Sequence, residues 1–190
     1  VDATGDGDLC AWAGAPYEKG DAEGLMQPGS LLSFWSPVDW KKAEEAGNGQ
    51  WRQEHRLPEA IRDGVFSVPE PLMPGLIQSG LHAGVGSFGH LFGIDGTDER
   101  SLTRGVIEGR RRFHEYETYF KRYLVGYEDM ELVGSGELVG IRETRRILGD
   151  YVLNAEDYFR RAVFADEIGR YCYGMDAHPR RLEDASRSVE

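Results

Sequence analysis

Cysteine is scarce in this chain: Cys10 and Cys172 are the two among 190 residues. Two lone cysteines so far apart point to a reduced compartment, with a cytoplasmic location expected, and away from a disulfide framework. Neither has a ligand-spaced neighbour, and none of the histidines (His55, His82, His90, His114, His178) stands in a His-x-x-x-His pair. A structural zinc site therefore has no pattern to rest on, and no metal is expected. Positive charge is also short. With 22 Lys and Arg against 33 Asp and Glu the net charge is −11, which excludes nucleic-acid binding driven by phosphate contacts. No apolar run approaches the roughly 20 residues needed to span a bilayer, so no membrane partner is expected. There is no signal-peptide pattern, no Gly-x-Ser-x-Gly elbow, and no Val-Ala-Ile-Lys, His-Arg-Asp or Asp-Phe-Gly segment, so the simplest hydrolase and kinase readings fall.

What is present is a chain of 190 residues, 40% hydrophobic, long enough for one domain with a substantial core. Its opening, Val1-Asp2-Ala3-Thr4-Gly5-Asp6-Gly7-Asp8, reads as the end of a buried parallel strand feeding a glycine turn and then an apolar-patterned segment. Open α/β sheets bind ligands at such carboxyl ends of strands, and glycine lets backbone approach a ligand closely. The apolar run that should precede Val1 and an initiator Met are both missing. The chain is accordingly expected to begin inside a nucleotide-binding domain, as an excised piece.

The spacing predicts a short helix over 8–14, a loop over 15–29, a strand over 31–35, a helix over 38–46 and an interrupted helix over 50–63. A loop over 69–80 follows, restricted by Pro69, Pro71 and Pro74, then a strand over 85–92. The longest helix is expected over 100–125, with Leu102, Val106, Phe113, Tyr116, Phe120 and Leu124 near helical spacing. Gly105 and Gly109 should weaken it by about 1 kcal/mol each. Strands are expected at 130–133, 139–142 and 146–153, then a short helix capped by Asn154 with Asp157 in its first turn. The tail from Arg180 onward reads as polar and frayed.

Several motifs fail on context. Gly84-Val85-Gly86-Ser87-Phe88-Gly89 matches G-x-G-x-x-G but lacks the strand before and helix after that a dinucleotide site needs; it reads better as a glycine-rich strand with close packing. Ile94-Asp95-Gly96-Thr97 is like a phosphatase loop, but Gly93 occupies the nucleophile's place. Asp2, Thr4, Asp6 and Gly7 fall at calcium-loop positions, yet the closing Glu would land on Ala13. Two constellations remain. In Gly140-Ile141-Arg142-Glu143-Thr144-Arg145-Arg146-Ile147, a strand would set Arg142, Thr144 and Arg146 on one face and Glu143 and Arg145 on the other. Such a density of guanidinium can hold an anion, or can form a solvated salt-bridge ladder. In Tyr171-Cys172-Tyr173-Gly174-Met175-Asp176-Ala177-His178, Asp176 can orient His178 and raise its basicity for proton transfer, or the pair can be merely structural.

Val1-Asp2-Ala3-Thr4-Gly5-Asp6-Gly7-Asp8-Leu9, Ala13-Gly14-Ala15-Pro16-Tyr17, Gly24-Leu25-Met26-Gln27-Pro28, Gly93-Ile94-Asp95-Gly96-Thr97-Asp98, Glu108-Gly109-Arg110-Arg111, the 140–153 block and Asp176-Ala177-His178 occur together and in order. This arrangement resembles the family of FAD-dependent oxidoreductases related to the glutathione-reductase fold, over nearly the whole chain. The resemblance implies a mixed α/β (α+β) fragment of a two-domain FAD-binding fold: a remnant of the FAD-binding domain over 1–24, then a substrate-binding domain over 25–179 with a mixed sheet and a long helix. It implies FAD contacts at Ala3, Thr4, Gly5, Asp6 and Gln27. Arg142 or Arg145 would neutralise a developing anion, and His178, oriented by Asp176, would move a proton. The N-terminal glycine-rich fingerprint and the C-terminal FAD segment of the family are absent, so the isolated chain is expected to bind FAD weakly or not at all, and the missing segments count as partners beside a small-molecule substrate. Asn154 stands where the family has Thr, an equivalent cap. Two alternatives stay open: a non-catalytic interaction module, and a sugar- or polyphenol-binding domain suggested by Trp12, Trp35, Trp40, Trp51 and the tyrosines.

Overall fold

A computed structural model describes residues 1–50, 52–73, 75–170 and 172–185. Trp51 of the tryptophan set, Pro74, Tyr171 and the end of the tail at 186–190 lie outside the described residues.

The mixed α/β class holds, in the form of two small antiparallel sheets and one long helix. Helix α1 spans Asp8–Trp12, β1 Tyr17–Lys19, β2 Ser33–Ser36, α2 Trp40–Glu45, α3 Leu57–Arg62, β3 Leu76–Gln78, β4 Gly84–Gly86, α4 Glu99–Tyr123, β5 Glu131–Ser135, β6 Arg145–Ile147 and α5 Ala155–Arg160. The larger sheet has the order β3-β4-β2-β5, and β1 pairs with β6 in the smaller. Every strand pairing among the described residues is antiparallel, where a sheet of mixed direction was expected. No helix among the described residues is long and apolar enough to cross a membrane.

Helix α4 forms where the periodicity places it. Asp98 caps it by accepting the Ser101 N–H at 3.0 Å, and Lys121 and Arg122 in its last turn complement the dipole. Its buried face carries Phe113, Tyr116, Tyr119 and Phe120, which meet Trp35, Leu31, Phe88 and Leu76 in one continuous core. Trp35, in the inner strand β2, lies edge-on to Phe113 with ring centroids 6.1 Å apart. Gly105 and Gly109 sit on this buried face, where an added Cβ would come 3.1 Å from Val139 and Leu31 respectively. Their propensity cost is thus offset by the close approach they permit. In β4, a Cβ on Gly86 would fall 2.1 Å from the Phe88 ring; the glycine-rich run is a tightly packed strand, as its context indicated.

Three expectations at the strands are corrected. Val1-Asp2-Ala3 is not a strand end: Val1 and Ala3 are exposed, and the Asp2 carboxylate accepts the N–H groups of Thr4 and Cys10 at 2.9 Å. Asp2 is a loop staple, and hydrogen bonds from the Thr4 hydroxyl and N–H hold its carboxyl well below the usual range. The predicted strand over 139–142 reduces to a single bridge, Ser30 with Gly140. The predicted strand over 146–153 shortens to β6, because the partner strand begins after Pro16, which has no N–H to donate; the Leu148 N–H to Pro16 carbonyl bond, 2.9 Å, is the last rung. Strands β1 and β3 arise inside stretches read as loop. Helix α5 begins at Asn154 with a full capping box to Asp157. Beyond it the chain stays anchored where fraying was expected: Arg180 reaches Glu143 at 2.9 Å, Leu182–Asp184 form a 3-10 turn and Ala185 is buried.

Candidate functional site

The Ser30–Gly140 bridge lays residues 140–144 beside 27–30, and β6 then carries the chain alongside β1. That path, crossed by the loop over residues 4–8, encloses an open cleft of about 470 Å³ lined by Gly5, Asp6, Gln27, Arg142, Glu143, Thr144, Arg145, Arg146 and Arg180, with Ile141. The volume is in the range of small-molecule sites, about 300–1,000 Å³. In a chain of net charge −11, arginine dominates the lining.

Most of that charge is engaged. Arg145 donates to Asp8 Oδ1 at 2.5 Å and to the Asp6 carbonyl at 3.0 Å, and its guanidinium lies 5.5 Å over the Tyr17 ring. Arg146 pairs with Glu143 and donates to the Gly20 carbonyl at 2.5 Å. Arg180 pairs with the other oxygen of Glu143 and donates to the Leu25 carbonyl at 2.8 Å. Arg142 differs. It donates to the Pro28 carbonyl at 2.6 Å, and among the described residues no carboxylate comes within ion-pair distance of it. The alternating faces expected for 142–146 are not seen, because the strand starts only at Arg145: Thr144 donates to Asp6 Oδ1 at 2.8 Å, so it and Arg145 converge on the same residue.

Gln27 links this cleft to the C-terminal constellation. Its N–H donates to Glu143 Oε2 at 2.9 Å, and its Oε1 accepts the His178 N–H at 3.0 Å. His178 Nε2 is 3.3 Å from Asp176 Oδ1. The expected rise in His178 basicity is corrected: its pKa is lowered, by burial first and by Arg142 next, with Asp176 only partly opposing them. The ring is therefore neutral at pH 7. Its ordinary unfolded pKa is about 6.5, so stability from this group is present above that pH and is lost as pH falls through the lowered folded value. An NMR titration of His178 should give a midpoint below 6.5; a midpoint above it would show that Asp176 dominates.

Of the residues predicted as a site, the structure gathers Gly5, Asp6, Gln27, Arg142 and Arg145 around the cleft and sets His178 against Gln27, with Asp176 beside His178. Thr4 stands one step back, donating its hydroxyl proton to Asp2 and accepting the Asp8 N–H at 2.9 Å; Ala3 is not in the lining. Sequence reasoning missed Glu143, which ties Gln27, Arg146 and Arg180 together, and the pair of half-buried His90 and buried Glu70 behind His178. No spacing signal links residues 88 positions apart, such as His90 and His178. Asp95 and Thr97, discounted as a phosphatase loop, are taken up by Lys19, whose ammonium lies 2.5 Å from Asp95 and 2.8 Å from Thr97. Trp35 is core and Trp40 is buried beside it, Trp12 is exposed, and the cleft lining contains no aromatic residue, so nothing at this cleft favours a sugar or polyphenol site.

The described residues thus form antiparallel sheets covered by a long helix, with a guanidinium-lined cleft at the junction of the N-terminal loop with the 140–147 block. The family described as FAD dependent oxidoreductase matches residues 1–189, and the chain belongs to it. Searches of curated proteins and of solved structures found no match. The residues at the cleft fit part of such a cofactor. Gly5, at φ +87°, has nothing within 4 Å of where a Cβ would lie; Arg145 Nε is buried without a hydrogen-bond partner; and Arg142 feels Asp176 and Glu70 only from beyond ion-pair distance.

Proposed function

We propose that this chain supplies the cofactor- and substrate-facing wall of an oxidoreductase that exchanges hydride between a small molecule and FAD, with residues 1–24 on the cofactor side and 25–179 toward the substrate. The observation that carries this reading is Arg142, an arginine without a carboxylate partner in a cleft where every neighbouring arginine has one. FAD, when bound, supplies the two-electron chemistry. Gly5, Asp6 and Gln27 would hold it, with Thr4 and Ala3 shaping the loop behind them. Arg142 neutralises negative charge that develops on the flavin or substrate side of the cleft, a role that fixed donors perform well where water is excluded. Arg145, already committed to Asp8 and Asp6, braces the loop. His178, neutral at pH 7 and close to Arg142, accepts or returns the proton that accompanies hydride transfer.

Rapid-mixing measurement of flavin reduction tests this. Replacing His178 by Ala should slow the step by about 100-fold or more, in line with the usual contribution of a positioned acid or base; an unchanged rate would remove His178 from the chemistry. A second reading, a non-catalytic interaction module, draws on a different observation. The stretch after β6 leaves Leu153, Phe159, Val163 and Ile168 largely exposed, an excess of exposed apolar side chains that contact with another molecule would cover.

A further inference from the structure

We propose that His90, held by Glu70, is a positioning residue that fixes the tautomer of His178, leaving His178 Nε2 as the proton acceptor and taking up the charge that follows. This rests on the proposed role of His178 in proton transfer and adds a buried half to that site. Four side chains form a line from the surface inward. Asp176 Oδ1 is 3.3 Å from His178 Nε2, His178 Nδ1 is 3.0 Å from His90 Nε2, and His90 Nδ1 is 2.7 Å from Glu70 Oε2. Exposure falls along it, from 58% at the Asp176 side chain to 24% at His178, then 19% at His90 and 9% at Glu70.

Proton counting along this line leaves one arrangement favoured. Between two ring nitrogens 3.0 Å apart there is room for a single proton. An unprotonated Nδ1 carries negative partial charge, so the Glu70 carboxylate oxygen 2.7 Å away favours the form with the proton on Nδ1. Neutral His90 then presents a lone pair at Nε2, His178 donates from Nδ1, and His178 Nε2 is bare. Asp176 favours the opposite tautomer, with the proton on Nε2. It is the weaker voice: it is farther away and more exposed than Glu70, and attraction between charges falls with both distance and solvent.

When His178 Nε2 takes a proton, the Nδ1–H bond can break as a new N–H bond forms on His90 Nε2. His178 returns to neutrality and the positive charge rests on His90 against Glu70. One proton enters, one moves on, and no other bond changes. Glu70 is built to receive that charge. Its Oε1 accepts the backbone N–H of His90 at 2.8 Å and lies 3.9 Å from Arg112, which donates to the His90 carbonyl at 2.7 Å and pairs with Glu108. The charged groups facing the histidine pair are thus Asp176 and Arg142 at the outer ring, and Glu70 with Arg112 at the inner one.

Long-range ¹H–¹⁵N NMR of the imidazoles in the unliganded chain, at pH above 7, reads the tautomers directly. His178 is expected to carry its proton on Nδ1; a spectrum with the proton on Nε2 would overturn the proposal. In His90→Phe, which removes the acceptor and keeps a ring, the His178 proton should switch to Nε2 and pair with Asp176. Persistence of the Nδ1–H form in that variant would also overturn it. If His90→Phe does not fold, the wild-type spectrum decides alone. Because the readout needs neither flavin nor substrate, its failure would leave the role of the cleft and of Arg142 to be judged separately.

Discussion

Replacing Arg142 by Ala in the flavin-loaded enzyme is expected to slow flavin reduction by about 100- to 1,000-fold, the usual loss when one preorganised donor to a developing charge is removed. The fold should survive. Arg142 makes its hydrogen bond to the Pro28 carbonyl and no ion pair among the described residues, so its removal strands no buried carboxylate. Arg145→Ala should behave differently, because it strips Asp8 and the Asp6 carbonyl of their donor and loosens the loop over residues 4–8. Arg142→Lys restores charge without the planar fork and should recover part of the rate. Comparison of the three by rapid-mixing kinetics, with circular dichroism as a control for folding, checks the assignment. An Arg142→Ala enzyme that reduces flavin at the wild-type rate would show that the unpaired guanidinium has no part in the reaction.

The second large effect lies in the core. Trp35→Ala should destabilise the protein by about 3–5 kcal/mol, the range for deleting a large aromatic side chain from a packed site. Trp35 is 1% exposed and sits in an inner strand of the larger sheet. It stacks on Phe88 at 6.3 Å and meets Phe113 edge-on, and its Nε1–H donates to Ser33 Oγ at 2.8 Å. Truncation opens a cavity between sheet and helix and removes that donor together. Trp35→Phe keeps most of the apolar volume and should cost less. Urea unfolding measures both, and a loss below about 1 kcal/mol in Trp35→Ala would mean that α4 is not packed on β2 as described.

Helical periodicity made α4 readable almost to its ends, and short-range hydrogen-bonding chemistry did the same for the Asn154 cap, since a side chain bonding two or three residues ahead leaves its mark in local sequence. The three-residue strands β1 and β3 left no such mark. Each is too short to show alternation, and their pairing is decided by distant partners: Ile147 and Arg145 for β1, Gly84 and Gly86 for β3. The opening Val1-Asp2-Ala3 misled because an apolar residue before a glycine turn looks the same whether it ends a strand or starts a loop. At the site, Arg142, Arg145, Gln27, Gly5 and Asp6 were legible from residue type and family resemblance. Which arginine keeps its charge free was not, because that depends on Glu143, Asp8 and Asp6 arriving from separate segments. Asp176 and His178 could be paired from their spacing, but the direction of the His178 shift turns on burial and on Arg142, which spacing does not encode. His90 and Glu70 were invisible for the same reason.

The most direct measurement is a titration with FAD followed by flavin fluorescence, on this chain alone and on the chain joined to the family's glycine-rich fingerprint and closing FAD segment, each with wild-type Arg142 and with Arg142→Ala. Weak or no binding to the chain alone, a saturable change in the joined form, and a weaker one in joined Arg142→Ala are expected if the cleft faces the cofactor. Absence of any saturable change in either form would contradict the flavin site and leave the interaction module as the function of this domain.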